Sequence, residues 1–143
     1  MFRITILSLT VLLCLATLSC QSQPYSTGLH KSVARADETA ATSALRTIGV
    51  AQRTYSASSG GDFGTFQQLC DAGYLDSRFN SSKPSVKDYV LTMEVTPKGF
   101  FSCNADPIAG PTAGRHFYID SNSAQLHVNP TESASAKDPV IEP

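Results

Sequence analysis

Residues 89–107 read Tyr-Val-Leu-Thr-Met-Glu-Val-Thr-Pro-Lys-Gly-Phe-Phe-Ser-Cys-Asn-Ala-Asp-Pro, and the fold turns on them. Tyr89, Leu91, Met93 and Val95 alternate with Val90, Thr92 and Glu94. A period of two puts the first set on one face of a strand. Pro97-Lys98-Gly99 is turn chemistry, and Phe100 to Ala105 returns as a second strand. Downstream, residues 106–114 are rich in Gly and Pro and read as loop. His116 to Asp120 is a third strand, Ser121-Asn122-Ser123 a turn, and Ala124 to Val128 a fourth strand. Asn129 to Pro143 holds three prolines and little to bury, so a mobile tail is expected there.

Upstream the period is helical. From Ala34 to Ala57, the residues Ala41, Ala44, Leu45, Ile48, Ala51 and Tyr55 recur at three- and four-residue steps. Gly49 weakens that helix by about 1 kcal/mol relative to alanine, and Ser58-Ser59-Gly60-Gly61 ends it. Thr65 and Gln68 have capping-box spacing and open a short helix with Phe66, Leu69 and Cys70 on its apolar face. Gly73 stops it, and residues 76–87 form a polar loop holding Pro84. The expected fold is α+β, a long N-terminal helix packed on an antiparallel sheet of about four strands, with the domain over 34–128.

The first 19 residues read as an export signal: Arg3, then an uncharged apolar run from Ile4 to Leu18. About 15 residues of helix span roughly 22 Å, short of a bilayer core of about 30 Å. Cleavage after Ser19 leaves Cys20 first, as lipid attachment requires. Thr17 stands where bacterial lipoboxes usually carry Leu, so simple secretion is the competing reading. Residues 21–33 are polar and read as a tether after the anchor.

If Cys20 carries lipid, Cys70 and Cys103 remain as an even pair and are the disulfide candidates in an oxidising compartment. Closing their loop is worth about 3–4 kcal/mol in the chain-entropy picture. Two buried free thiols are the alternative. The chain has no Cys-x-x-Cys, which argues against a redox motif or a zinc ribbon. A formal net charge of −1 excludes the basic footprint of a nucleic-acid binder, and no polybasic run for anionic lipids is visible.

The segments Ala44 to Tyr55, Phe63 to Asp76 and Tyr89 to Val128 together resemble the globular part of type IV pilin-like and type II secretion pseudopilin-like proteins. The resemblance runs from about Asp37 to Val128. It implies a helix-on-sheet head. The pilin leader and its long hydrophobic helix with an early acidic residue have no counterpart here, so the chain is not expected to polymerise as a pilus subunit. Contact with a filament or secretion apparatus through a sheet edge or loops is what the resemblance implies instead. Major pseudopilins bind calcium in a carboxylate loop, whose counterpart here is Asn104, Asp106 and Asp120, a sparse set for a cation that needs six to eight oxygens.

Chemical candidates are few. His116 and His127, with Asp106 or Asp120, have the residue types of a divalent-metal site but no fixed ligand spacing. The other reading is a solvated histidine pair beside a turn. No Gly-x-Ser-x-Gly and no phosphate loop occurs. Phe100, Phe101, Phe117 and Tyr118 read as core and cross-strand pairs. No catalytic residue, metal or cofactor is therefore expected. The expected function is an exported, lipid-anchored pilin-like domain with a structural or interaction role at the bacterial cell envelope. Its partners would be the membrane through Cys20 and an envelope, filament or secretion-system protein. The alternative is a periplasmic or secreted ligand- or glycan-binding module.

Overall fold

The computed structural model describes residues 25–97 and 99–141, with side chains from Lys31 onward. The expected signal 1–19, Cys20 and the first tether residues lie outside the described residues. Helix α1 (Tyr25–Ser58) is followed by a short α2 (Phe66–Asp71), a 3-10 turn (Ser77–Phe79) and five strands. These are β1 (Ser85–Val86), β2 (Tyr89–Thr96), β3 (Phe100–Pro107), β4 (His116–Asp120) and β5 (His127–Asn129). All pair antiparallel in the order β1-β2-β3-β4-β5, a meander.

The long helix begins nine residues before the expected start at Ala34, inside the stretch read as tether. Between Lys31 and Ala40 no residue is buried, so this turn-by-turn extension needs no packing partner. Helix elongation adds one hydrogen bond per residue once a nucleus exists, and the packed turns from Ala41 supply that nucleus. Gly60 (φ 71°) and Gly61 (φ 104°) take the left-handed conformations that end the helix, and the Gly61 amide donates to the Ser56 carbonyl. The capping box forms as read: the Thr65 amide donates to Gln68 Oε1 and the Gln68 amide to Thr65 Oγ1.

Strand alternation sorts the sheet into two faces. Register aligns Leu91, Ala105, Phe117 and Val128 in one row, Met93, Cys103 and Ile119 in the next, and Val95 with Phe101 in a third. These rows pack with Ala41, Ala44, Leu45, Ile48 and Ala51 of α1 as one core. Gly49 allows close approach there, since a Cβ on it would lie 3.0 Å from Ile119 Cδ1. Among the fully buried side chains on α1 is a polar one, Gln52. Its Nε2 donates to the Gly64 carbonyl at 2.6 Å and its Oε1 accepts from the Gly64 amide at 2.9 Å. Nε2 also lies 3.2 Å from Met93 Sδ.

Three further expectations are corrected. The sheet has five strands, because Ser85 and Val86, read as loop, pair with Tyr89 and Val90. The last strand begins at His127, since Ala124 (φ 53°) prolongs the turn. Residues 130–141 are an ordered strap. Ala134 is buried, Ile141 packs on the core, and Val140 bridges His127. Asn and Asp turns order it without an apolar run: the Asn129 side chain accepts from the amides of Thr131 and Glu132, and Asp138 from Ser135.

Gln52→Leu leaves the buried Gly64 amide and carbonyl without partners, and each such loss costs about 1–3 kcal/mol. The variant is expected to unfold at clearly lower urea concentration than the wild type, whereas Val50→Ala on the exposed face is expected to stay within about 0.5 kcal/mol.

Candidate functional site

The outer face of the sheet is the polar one. Ser102 and Asn104 of β3 align with Asp120 and Tyr118 of β4, the Asp106 and His116 side chains meet beside them, and Tyr118 pairs with His127 of β5. The strap crosses this face and bonds to it. Asn104 Nδ2 donates to Ser133 Oγ and to the Ala134 carbonyl, and Ser133 Oγ donates to Asp106 Oδ2. His116, 4% exposed, sits between two acceptors, with Nδ1 2.6 Å from Asp106 Oδ1 and Nε2 3.1 Å from the Pro111 carbonyl.

His127 belongs to a second set. Its Nδ1 donates to the Asp138 carbonyl at 2.7 Å, while Nε2 lies 3.4 Å from Ser123 Oγ. Asp120 is spent on the β4–β5 turn: Oδ1 accepts from the amides of Asn122 and Ser123, and Oδ2 from the Tyr118 hydroxyl. Burial first, and the Asp120 charge second, push the Tyr118 hydroxyl up to about 12. The candidate residues His116, His127, Asp106 and Asp120 are therefore split between the His116–Asp106 pair and the turn and strap around His127. Asn104 and Asp106 meet Ser133 rather than Asp120. Among the described residues no group of three or more His, Cys, Asp or Glu side chains is placed to hold a metal.

Cys70 and Cys103 are free thiols in this structure, and the expected bond between them is a matter for the mass of the isolated protein. Cys70 Sγ donates to the Asp76 carbonyl at the end of α2, and Cys103 Sγ lies in the β3 row beneath α1, 3.8 Å from the Asn104 carbonyl. Burial pushes the Cys103 thiol far up, and burial with the nearby Asp76 and Asp71 raises Cys70. Sequence spacing could count these cysteines but not orient them.

Two grooves were not read from the sequence. One, of about 720 Å³, brings Lys31, Arg35 and Arg46 of α1 beside Arg115 and Ile141. Arg115 is clamped there by Glu38, with Nη2 2.7 Å and Nε 3.1 Å from Oε2 and the Arg115 amide 3.2 Å from Oε1. The other, of about 530 Å³, opens between Met93 and Val95 of β2, the start of α2, and residues 80–82. The helical spacing of Lys31, Arg35 and Arg46 was the available signal for the first groove, and Pro84 for the second.

Removing the Asp106 carboxylate by Asp106→Ala deprives buried His116 and strap residue Ser133 of an acceptor, at a cost of about 1–3 kcal/mol in urea unfolding. Asp138 is held below its ordinary value of 3.8 by hydrogen bonds from the Ser135 amide and hydroxyl and from Asn129. Its contribution to strap stability is therefore complete above pH 3.8 and is lost as pH falls through its lower folded value. Amide exchange at Val128 and Ile141, which donate to Pro139 and Leu126, should accelerate across that interval and lose this pH dependence in Asp138→Ala. Without reductant, Cys70 should alkylate in the native protein and Cys103 only after unfolding, whereas a mass gain on reduction would reinstate the bond. No protein-family model, no curated protein and no solved structure matches this chain.

Proposed function

We propose that this chain is an exported, lipid-anchored, pilin-like domain with a structural or interaction role at the bacterial cell envelope, anchored through Cys20. The observation that carries the reading is α1. One helix of 34 residues runs from Tyr25, five positions after Cys20, into the core and bears the antiparallel meander. A helix first and a meander after it, joined by a short capped helix, is the element order of a pilin-like head. The catalytic residue types on the outer face support the same reading through what they do. His116, Asp106, Asp120 and His127 hold turns and the strap in place, which gives a rigid head suited to presentation.

The second reading, a secreted ligand- or glycan-binding module, draws on the groove beside β2. Its apolar Phe66, Met93 and Val95 adjoin hydroxyl and amide side chains of Thr65, Gln67 and Asn80, the mixture that orients a small polar ligand.

Intact mass of the protein from the membrane fraction of its native host separates the two. The expected species begins at Cys20 and carries a diacylglyceryl adduct, and Cys20→Ser should move the protein to the soluble fraction with unchanged thermal melting. An unmodified chain in the soluble fraction would sink the anchor and leave the secreted module as the better account.

A further inference from the structure

The two edges of the sheet are finished differently. At β5 the strap closes the edge: the Val128 amide donates to the Pro139 carbonyl, the Ile141 amide donates to the Leu126 carbonyl, and Val140 bridges His127. At β2 the cover stops short. β1 pairs only with Tyr89 and Val90, and the last bond is from the Leu91 amide to the Pro84 carbonyl at 2.8 Å. Proline has no N–H with which to carry a ladder on.

Antiparallel geometry says which groups this leaves open. The Ile108 amide donates to the Asp88 carbonyl, so even-numbered residues of β2 turn their backbone groups toward β3. Leu91 bonds on the opposite side, as odd-numbered residues do. The amides and carbonyls of Met93 and Val95 therefore point away from β3, and no described residue bonds them there. They face the 530 Å³ groove, whose far wall is Asn80, Ser81 and Ser82. In the β1–β2 register, residues 80 and 82 would stand opposite Val95 and Met93, so the groove is the place of a strand that this chain does not supply.

We propose that this open edge of β2 is a strand-addition site for an extended, uncharged polypeptide segment of a partner protein, a proposal that rests on the interaction role above. Two donors and two acceptors alternating along one line are the complement of a β-strand backbone. Strand pleating points alternate side chains of that segment at Phe66, Met93 and Val95, so apolar residues belong at every second position. No lining residue of the groove carries a formal charge. The β2 edge of a second copy would have to bring its own 80–82 wall with it.

The test uses the full chain, ¹⁵N-labelled in nonionic detergent, and a displayed heptapeptide library alternating Thr with Val, Ile, Leu, Phe or Tyr. Enriched peptides should shift the Met93 and Val95 amide resonances. They should lose about tenfold or more in affinity when their own alternate amides are N-methylated. Val95→Pro should cost as much, because it removes an outward N–H that the β2–β3 ladder does not use. Val95→Lys, which keeps the backbone and puts a charge in the groove, should weaken binding similarly and covers the case in which the proline variant does not fold. No enrichment above background overturns the proposal. So does binding that ignores both variants, and so does a concentration-dependent dimer lost in Val95→Pro, which would assign the edge to a second copy. None of these results alters the lipid adduct in the intact mass, so failure of the strand site is distinguishable from failure of the envelope reading.

Discussion

The buried amide of Gln52 is the interaction on which the rest of the head depends. It sits among apolar residues on α1, and both of its polar ends are consumed by the backbone of Gly64. Because one side chain bonds both groups of one residue, the entry to α2 has a single position relative to α1. That position places Phe63 against Phe101, with ring centroids 5.0 Å apart, and Phe66 near Phe79 at 6.5 Å. Gly64 itself is constrained from above, where a Cβ would lie 3.1–3.3 Å from the Tyr55 ring. A low-dielectric site makes such a bond strong when complete and costly when half made, so the clamp specifies geometry that apolar packing alone leaves loose.

The second organising feature is the division of the sheet. One face is a core beneath α1. The other is polar and would expose Asn104, Asp106 and His116 had the strap not crossed it. With 16% charged residues in the chain, the outer face is built largely from neutral hydrogen-bonding groups, and its carboxylates Asp106 and Asp120 are tied to the strap and to a turn. The strap therefore substitutes for a second layer. It is held by hydrogen bonds from side chains and backbone, by the buried methyl of Ala134 and by Ile141 against the core.

The strap also explains the asymmetry of the edges. The same segment that covers the outer face reaches β5 and pairs with it, while at the far edge a two-residue β1 ends at a proline. One edge is closed by chain that returns from a distance, and the other is left open by a local residue without a donor. For the proposed interaction role, a rigid sheet with one open edge beside an apolar groove is a workable contact surface.

Local features were legible in the sequence wherever the physics is local. The period of two over Tyr89–Val95, the stripe from Ala41 to Tyr55, the Thr65–Gln68 box and the Gly60-Gly61 stop all depend on neighbours a few residues away. Each was readable, and together they determined the α+β class. Gln52 escaped notice because it lies on the helical stripe as an ordinary polar interruption, and its partner is twelve residues off. Asn129 to Pro143 read as a tail because its order comes from bonds to Asn104, Asp106 and Leu126, and His116 and His127 looked like a pair because sequence carries no register. The cation-lined groove gathers Arg115 from the sheet and Lys31, Arg35 and Arg46 from the helix, residues up to 84 positions apart. The sequence by itself determined the elements and their order, since those follow from hydrogen bonding and burial repeated at fixed short spacing. Only the tertiary structure decided which polar groups meet and which edge stays open, since those follow from where distant backbone groups come to lie.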